Sequence, residues 1–150
     1  MAVDIPSEGE TLTYTRTFTN EEVTQFAELS KDEGYHHMVG NDDGQVVLHG
    51  LLTATMPTKL GGDSEMLARR MDFEFHRPVY TGEPVTCESR TEAVVEREDR
   101  YDTTSEGVCS NTEGEAVLTA TIEGLVWQAD VRGACTVGAR GPARSRGRRA

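Results

Sequence analysis

Val46-Val47-Leu48-His49-Gly50-Leu51-Leu52-Thr53-Ala54-Thr55-Met56-Pro57-Thr58-Lys59-Leu60 is a mainly apolar segment closed by Gly61-Gly62. From Gly50 to Leu60 it reads as a helix apolar enough to be buried, and a buried helix needs another layer of structure to cover it. Pro57 lacks the amide that a mid-helix turn uses, so a kink or an earlier end is expected there. The residues on either side decide what the covering layer is.

On the C-terminal side the period is two. Met71, Phe73 and Phe75 alternate, and Pro84 to Val95, Tyr101 to Ser110 and Ala116 to Trp127 follow as further strands. In the last of these Leu118, Ala120, Ile122 and Val126 share one face, and Thr119, Thr121 and Glu123 share the other. Tyr80-Thr81-Gly82-Glu83 and Asn111-Thr112-Glu113-Gly114 separate strands by lengths suited to antiparallel hairpins.

On the N-terminal side Thr11 to Phe18 alternates threonines with Leu12, Tyr14, Arg16 and Phe18, the pattern of a strand. Thr19-Asn20-Glu21-Glu22 then has capping-box spacing, and Val23, Phe26 and Ala27 continue an amphipathic helix that ends near Ser30 or Lys31. Lys31 to Gln45, with Gly34, Gly40, Gly44 and Asn41-Asp42-Asp43, is a polar loop that cannot hold regular structure for long. One strand, a helix, a loop, a buried helix and four long strands define an α+β domain in which a helix packs on an antiparallel sheet.

The chain has 150 residues, 36% of them apolar, the size of one domain with one core. That domain is assigned to residues 1–130. Residues 131–150 carry six Arg, no acid and no apolar periodicity, so they read as a basic, disordered tail. No aromatic residue interleaves those arginines for base stacking, so nucleic acid is not the expected partner. Folding back onto the acidic body is the other option for the tail. No run of 18 apolar residues and no signal core occurs, which predicts a soluble, cytoplasmic protein with no membrane partner. Cys87, Cys109 and Cys135 lack CxxC spacing and read as reduced structural thiols. All 26 acids and only 9 of the 15 Lys and Arg fall in residues 1–130, and Lys31 and Lys59 are the only lysines. Such a surface suggests adaptation to a salty cytoplasm, where salt screens self-repulsion. Unfolding that is insensitive to salt up to molar concentrations would contradict that reading.

Asp32 and His37 lie where the chain leaves the first helix, a loop still anchored by a rigid element. A carboxylate and an imidazole on one side of a pocket can share a water, one taking its proton while the other holds or donates. Addition of that water to a double bond requires donors at the carbonyl oxygen where charge develops. His49-Gly50, at the start of the buried helix, supplies free amides, and glycine permits close approach. On this spacing alone, an Asp and two His fit a solvated loop equally well. Asp32, His36, His37 and His49 are also competent metal ligands, but adjacent histidines on an extended chain point opposite ways, so a metal is not expected.

Phe26-Ala27-Glu28-Leu29-Ser30-Lys31-Asp32, followed by His37 and by Val47-Leu48-His49-Gly50-Leu51-Leu52, resembles the MaoC-like acyl dehydratases and (R)-specific enoyl-CoA hydratases. In that family a Phe-Ala-x-x-Ser-Gly-Asp-x-Asn-Pro-x-His stretch precedes a His-Gly-Met-Leu-like start of the central helix. Phe75-His76-Arg77-Pro78-Val79-Tyr80-Thr81-Gly82-Glu83-Pro84-Val85 resembles the family's Phe-x-x-Pro-Val-x-x-Gly-Asp-x-Val. The similarity runs from Thr11 to Trp127, with Lys31, Gly34 and Tyr35 standing where the family has Gly, Asn and Pro.

The resemblance implies a hot-dog fold, an antiparallel sheet wrapped around a central helix, in a homodimer or higher oligomer with its active site near the interface. It implies reversible hydration of a 2-enoyl-CoA to a 3-hydroxyacyl-CoA, with Asp32 and His37 on the water and the Gly50 amide in the oxyanion hole. His49, Tyr35 and Leu51 become candidate contacts to the acyl-CoA thioester, and no metal or redox cofactor is implied. A thioesterase on the same fold and a non-catalytic acyl-CoA-binding accessory subunit are the alternatives. CoA phosphates call for arginine, and Arg69, Arg70, Arg77, Arg90, Arg97 and Arg100 qualify equally, as CoA ligands or as ordinary surface charges.

Overall fold

The computed structural model describes residues 5–128, so the basic tail and Cys135 lie outside the described residues. Strand β1 (Thr11–Thr17) leads into helix α1 (Asn20–Ser30), whose first turn is closed as expected. The Thr19 hydroxyl accepts from the Glu22 amide at 3.2 Å, and the Glu22 carboxylate accepts from the Thr19 amide at 3.1 Å. Val23 and Ala27 are fully buried, so the apolar stripe faces the core. The loop that follows contains one helical turn, α2 (Tyr35–Met38).

The central helix is longer than the proline and glycines suggested. It runs as α3 (Gly50–Thr53) and α4 (Thr55–Asp63), broken at Ala54 and continuing through Gly61-Gly62. Pro57 accounts for the break, because its ring crowds the backbone four residues earlier and offers no amide to Thr53. It therefore sits within the first turn of a new segment, where a missing amide costs little.

Four strands follow, β2 (Leu67–Phe75), β3 (Pro84–Glu96), β4 (Arg100–Ser110) and β5 (Ala116–Trp127). They join β1 in one antiparallel sheet of order β1-β3-β4-β5-β2. Helix α4 packs against β1, β2 and β3, so the sheet wraps the helix in the hot-dog arrangement. Phe18, Met56 and Leu118 are among the largest fully buried side chains, joining the strand end, the helix and the sheet in one core. Cys87 and Cys109, 22 positions apart in sequence, face each other across β3 and β4 as buried free thiols.

Asn111 to Gly114 does join a hairpin, β4 to β5. Tyr80 to Glu83 does not, because β5 and β4 lie between β2 and β3 in the sheet. Strand length and a turn signal cannot reveal whether consecutive strands are neighbours. The connection from His76 to Glu83 instead ties down the loop before α3. Leu48 donates to the Val79 carbonyl at 2.8 Å, Thr81 to the Val46 carbonyl at 3.0 Å, and Val47 bridges Tyr80. The Thr81 hydroxyl accepts from the Val46 amide at 3.1 Å and donates to Asn20 on α1, so three segments meet there.

Candidate active site

The turn that leaves α1 is built by its own side chains. Lys31 takes the left-handed conformation (φ 66°) that closes the helix, the conformation glycine adopts most easily. The Ser30 hydroxyl accepts from the Asp32 amide at 3.1 Å, and the Asp32 carboxylate accepts from the Gly34 amide at 3.2 Å. Gly34 then caps α2 and Tyr35 is its first residue. Asn and Pro, which the related pattern places there, favour those same two positions, so this chain reaches the same turn with different residues.

That turn swings His37 inward, where its side chain is 8% exposed. Its Nδ1 is 2.7 Å from the Val47 carbonyl, which can only accept, so Nδ1 carries the hydrogen and Nε2 presents a lone pair. Nε2 lies 3.8 Å from the Asp32 carboxylate. His36 and His37 are on a helical turn rather than an extended chain, and their ring centroids are 4.0 Å apart.

His49, almost fully buried, supports this pair from behind. Its Nε2 donates to the Asp32 carbonyl at 2.8 Å, its ring stacks on His37 at 3.7 Å and 18°, and Phe26 packs 4.9 Å away. Its Nδ1 is buried and has no hydrogen-bond partner among the described residues. Donor atoms of Asp32, His37 and His49 fall within 4.8 Å of one another, so three of the four candidate ligands converge. The stack nevertheless sets the two free imidazole lone pairs in near-parallel planes, and an ion lying in one ring plane lies outside the other. The arrangement suits holding a carboxylate and an imidazole beside a shared small molecule better than chelation.

Gly50 begins α3, and among the described residues no carbonyl is paired with its amide. A Cβ here would lie 2.9 Å from the edge of the Phe75 ring. Gly50, His37 and Phe75 line one open cavity of about 370 Å³, together with His36, His76 and Arg77. A second cavity, about 30 Å³ and so the size of roughly one water, lies toward the other end of α4 by Leu60 and Ser105. Tyr35 and Leu51 are 77% and 65% exposed and do not line the larger cavity. His49 lies behind His37 rather than in the cavity. Thr53, Phe75, His76 and Pro78 were not singled out as site residues, although the Phe75 to Val79 segment that carries three of them was a visible motif.

Residues 14–120 match the FAS1-like dehydratase domain region, and the chain belongs to this family. No curated protein sequence matches it. The fold is similar to that of an (R)-hydratase from A. caviae involved in PHA biosynthesis (TM-score 0.72, 23% identity, covering 82% of this chain and 98% of that one). It is also similar to a MaoC-like dehydratase from Rhodospirillum rubrum (0.69, 17%, covering 85% and 97%). The unliganded (R)-hydratase PhaJ1 from Pseudomonas aeruginosa is a further structural relative (0.68, 17%, covering 82% and 83%).

Proposed function

We propose that the chain adds water reversibly to a 2-enoyl-CoA, giving the 3-hydroxyacyl-CoA. The observation that carries this reading is the 3.8 Å gap between the Asp32 carboxylate and the His37 Nε2 lone pair. Both atoms are acceptors and are too far apart to bond to each other. A water about 2.8 Å from each would see them at about 85°, near its own H–O–H angle.

In the hydration direction the water oxygen bonds to C3 as Asp32 takes one of its protons. The C2–C3 π electrons move toward the thioester, and the charge gathers on its carbonyl oxygen against the Gly50 amide. The enolate then takes the proton from Asp32 at C2. His37 holds the water by its second hydrogen throughout, with the Val47 carbonyl fixing its tautomer. Exposed apolar groups at the cavity edge support a homodimer. Phe75 is 52% exposed, and Met71, on the same edge strand β2, is 39% exposed, as fits a surface that a second copy covers.

Crotonyl-CoA hydration tests the reading. Asp32→Asn and His37→Ala should each lower kcat by about 10²- to 10⁴-fold. Hydration that survives both substitutions sinks the mechanism, and release of free CoA thiol without loss of the enoyl group would identify thioester cleavage instead.

A further inference from the structure

Two nucleophilic side chains lie away from the cavity and take no part in hydration. Cys87 on β3 and Cys109 on β4 hold directly opposed positions, in a stretch of the ladder that runs without a register shift from Thr86 to Thr91. Opposed residues share a face of the sheet, and here it is the inner one. Cys87 is 0% exposed and Cys109 1%, and both belong to the core that also holds Met56 and Leu118. The two thiols are free and are hydrogen-bonded to each other.

That placement suits a covalent link. Opposed residues of an antiparallel pair have Cα atoms about 4.5 or 5.5 Å apart, and a disulfide spans Cα separations of about 4.4–6.8 Å. Closure therefore asks for rotation of two side chains and no change of register. We propose that Cys87 and Cys109 are a reversible oxidation site, which a hydroperoxide converts to an intramolecular disulfide joining β3 to β4.

The hydrogen bond from Cys109 holds the Cys87 thiol below its ordinary value and pushes the Cys109 thiol up, so Cys87 is the first to lose its proton. With hydrogen peroxide as oxidant, the Cys87 sulfur attacks one oxygen, the O–O bond breaks, and the other oxygen leaves with the thiol proton as water. The sulfenic acid so formed lies against Cys109. The Cys109 sulfur attacks it, the S–O bond breaks, and a second water leaves with the Cys109 proton. Two thiols have lost two electrons, and the peroxide has taken them. A buried thiol is ordinarily inert because oxidants do not reach it. Cys87, however, lies one strand from the sheet edge, opposite Tyr14 of the seven-residue edge strand β1. Such an element opens locally at lower cost than the whole fold, and a molecule as small as hydrogen peroxide needs no wider entry.

Hydrogen peroxide added to the folded full-length Cys135→Ser variant, which lacks the third thiol, tests the pair. After quenching, unfolding and alkylation, peptide mapping should find Cys87 joined to Cys109, and dithiothreitol should return both thiols to alkylation. The bond closes a loop 22 positions long. It should raise Tm by roughly 5–10 °C over the same sample after reduction. A Cys109→Ala, Cys135→Ser variant treated in the same way should show no such rise. Two thiols still open to alkylation after peroxide, a sulfinic acid at either position in place of the cross-link, or a cross-link that lowers Tm each overturns the assignment. None of these readouts requires turnover, so a failed hydration assay leaves them unaffected.

Discussion

His49→Phe separates positioning from stability. Among the described residues the wild-type ring makes one hydrogen bond, from Nε2 to the Asp32 carbonyl, and leaves Nδ1 buried without a partner. Phenylalanine keeps the ring against His37 and Phe26 but removes both polar atoms. Losing the made bond costs about 1 kcal/mol, since Asp32 is exposed and water can reach its carbonyl. Removing a buried unpaired acceptor returns about 1–3 kcal/mol. The two offset to within about 2 kcal/mol, a shift in Tm of no more than roughly 6 °C for a chain of this length. Activity should respond differently. Asp32 loses one of its three hydrogen bonds, the one that holds its carbonyl from behind, and a misplacement of about 1 Å at a reacting group costs on the order of 10²-fold in rate. Thermal unfolding read beside initial rates of enoyl-CoA hydration should show a near-wild-type Tm, a near-wild-type KM and a strongly reduced kcat. A kcat within twofold of wild type would show that His49 does not position Asp32, and the reasoning fails.

Lys31→Gly should stabilise the fold by about 1 kcal/mol, because it relieves a left-handed side-chain-bearing residue at the end of α1; denaturant unfolding checks it. Gly50→Ala should lower kcat by roughly 10²-fold, because its Cβ would press on the Phe75 ring beside the amide that meets the thioester oxygen. The loss should be partly recovered in a Gly50→Ala, Phe75→Leu double variant assayed by initial rates. Hydrogen bonds from Arg97 and Arg100 hold the Asp102 carboxyl below the usual carboxylate range. A depressed folded-state pKa contributes stability above the unfolded value of about 3.9 that is lost as pH falls through the folded one. Asp102→Asn should therefore flatten the fall of Tm below about pH 4.

Elements whose signal is local were legible in the sequence. Thr19 and Glu22 are three residues apart and close their own turn, so the start of α1 could be read directly. The alternation in Ala116 to Trp127 likewise emerged as a strand with Leu118, Ala120, Ile122 and Val126 buried. Properties set by distant partners were not legible. Nothing local to Tyr80 to Glu83 says that two strands separate β2 from β3, and nothing near Cys87 points to Cys109. Asp32, His37 and Gly50 were singled out from spacing and resemblance, whereas the exposure of Tyr35 and Leu51 follows from which way a helical turn faces once it is packed. His49 reads from the sequence as a candidate substrate contact, and only the folded loop shows that its ring also bonds the Asp32 carbonyl.

The acidic body has a kinetic consequence for the acyl-CoA substrate proposed above. With 26 acids against 15 Lys and Arg, the molecule would repel an anionic carrier at long range. The Debye length is about 30 Å at 0.01 M salt and about 3 Å at 1 M. Added salt silences that distant repulsion, so encounter with such a carrier should quicken as ionic strength rises, the reverse of electrostatic steering between opposite charges.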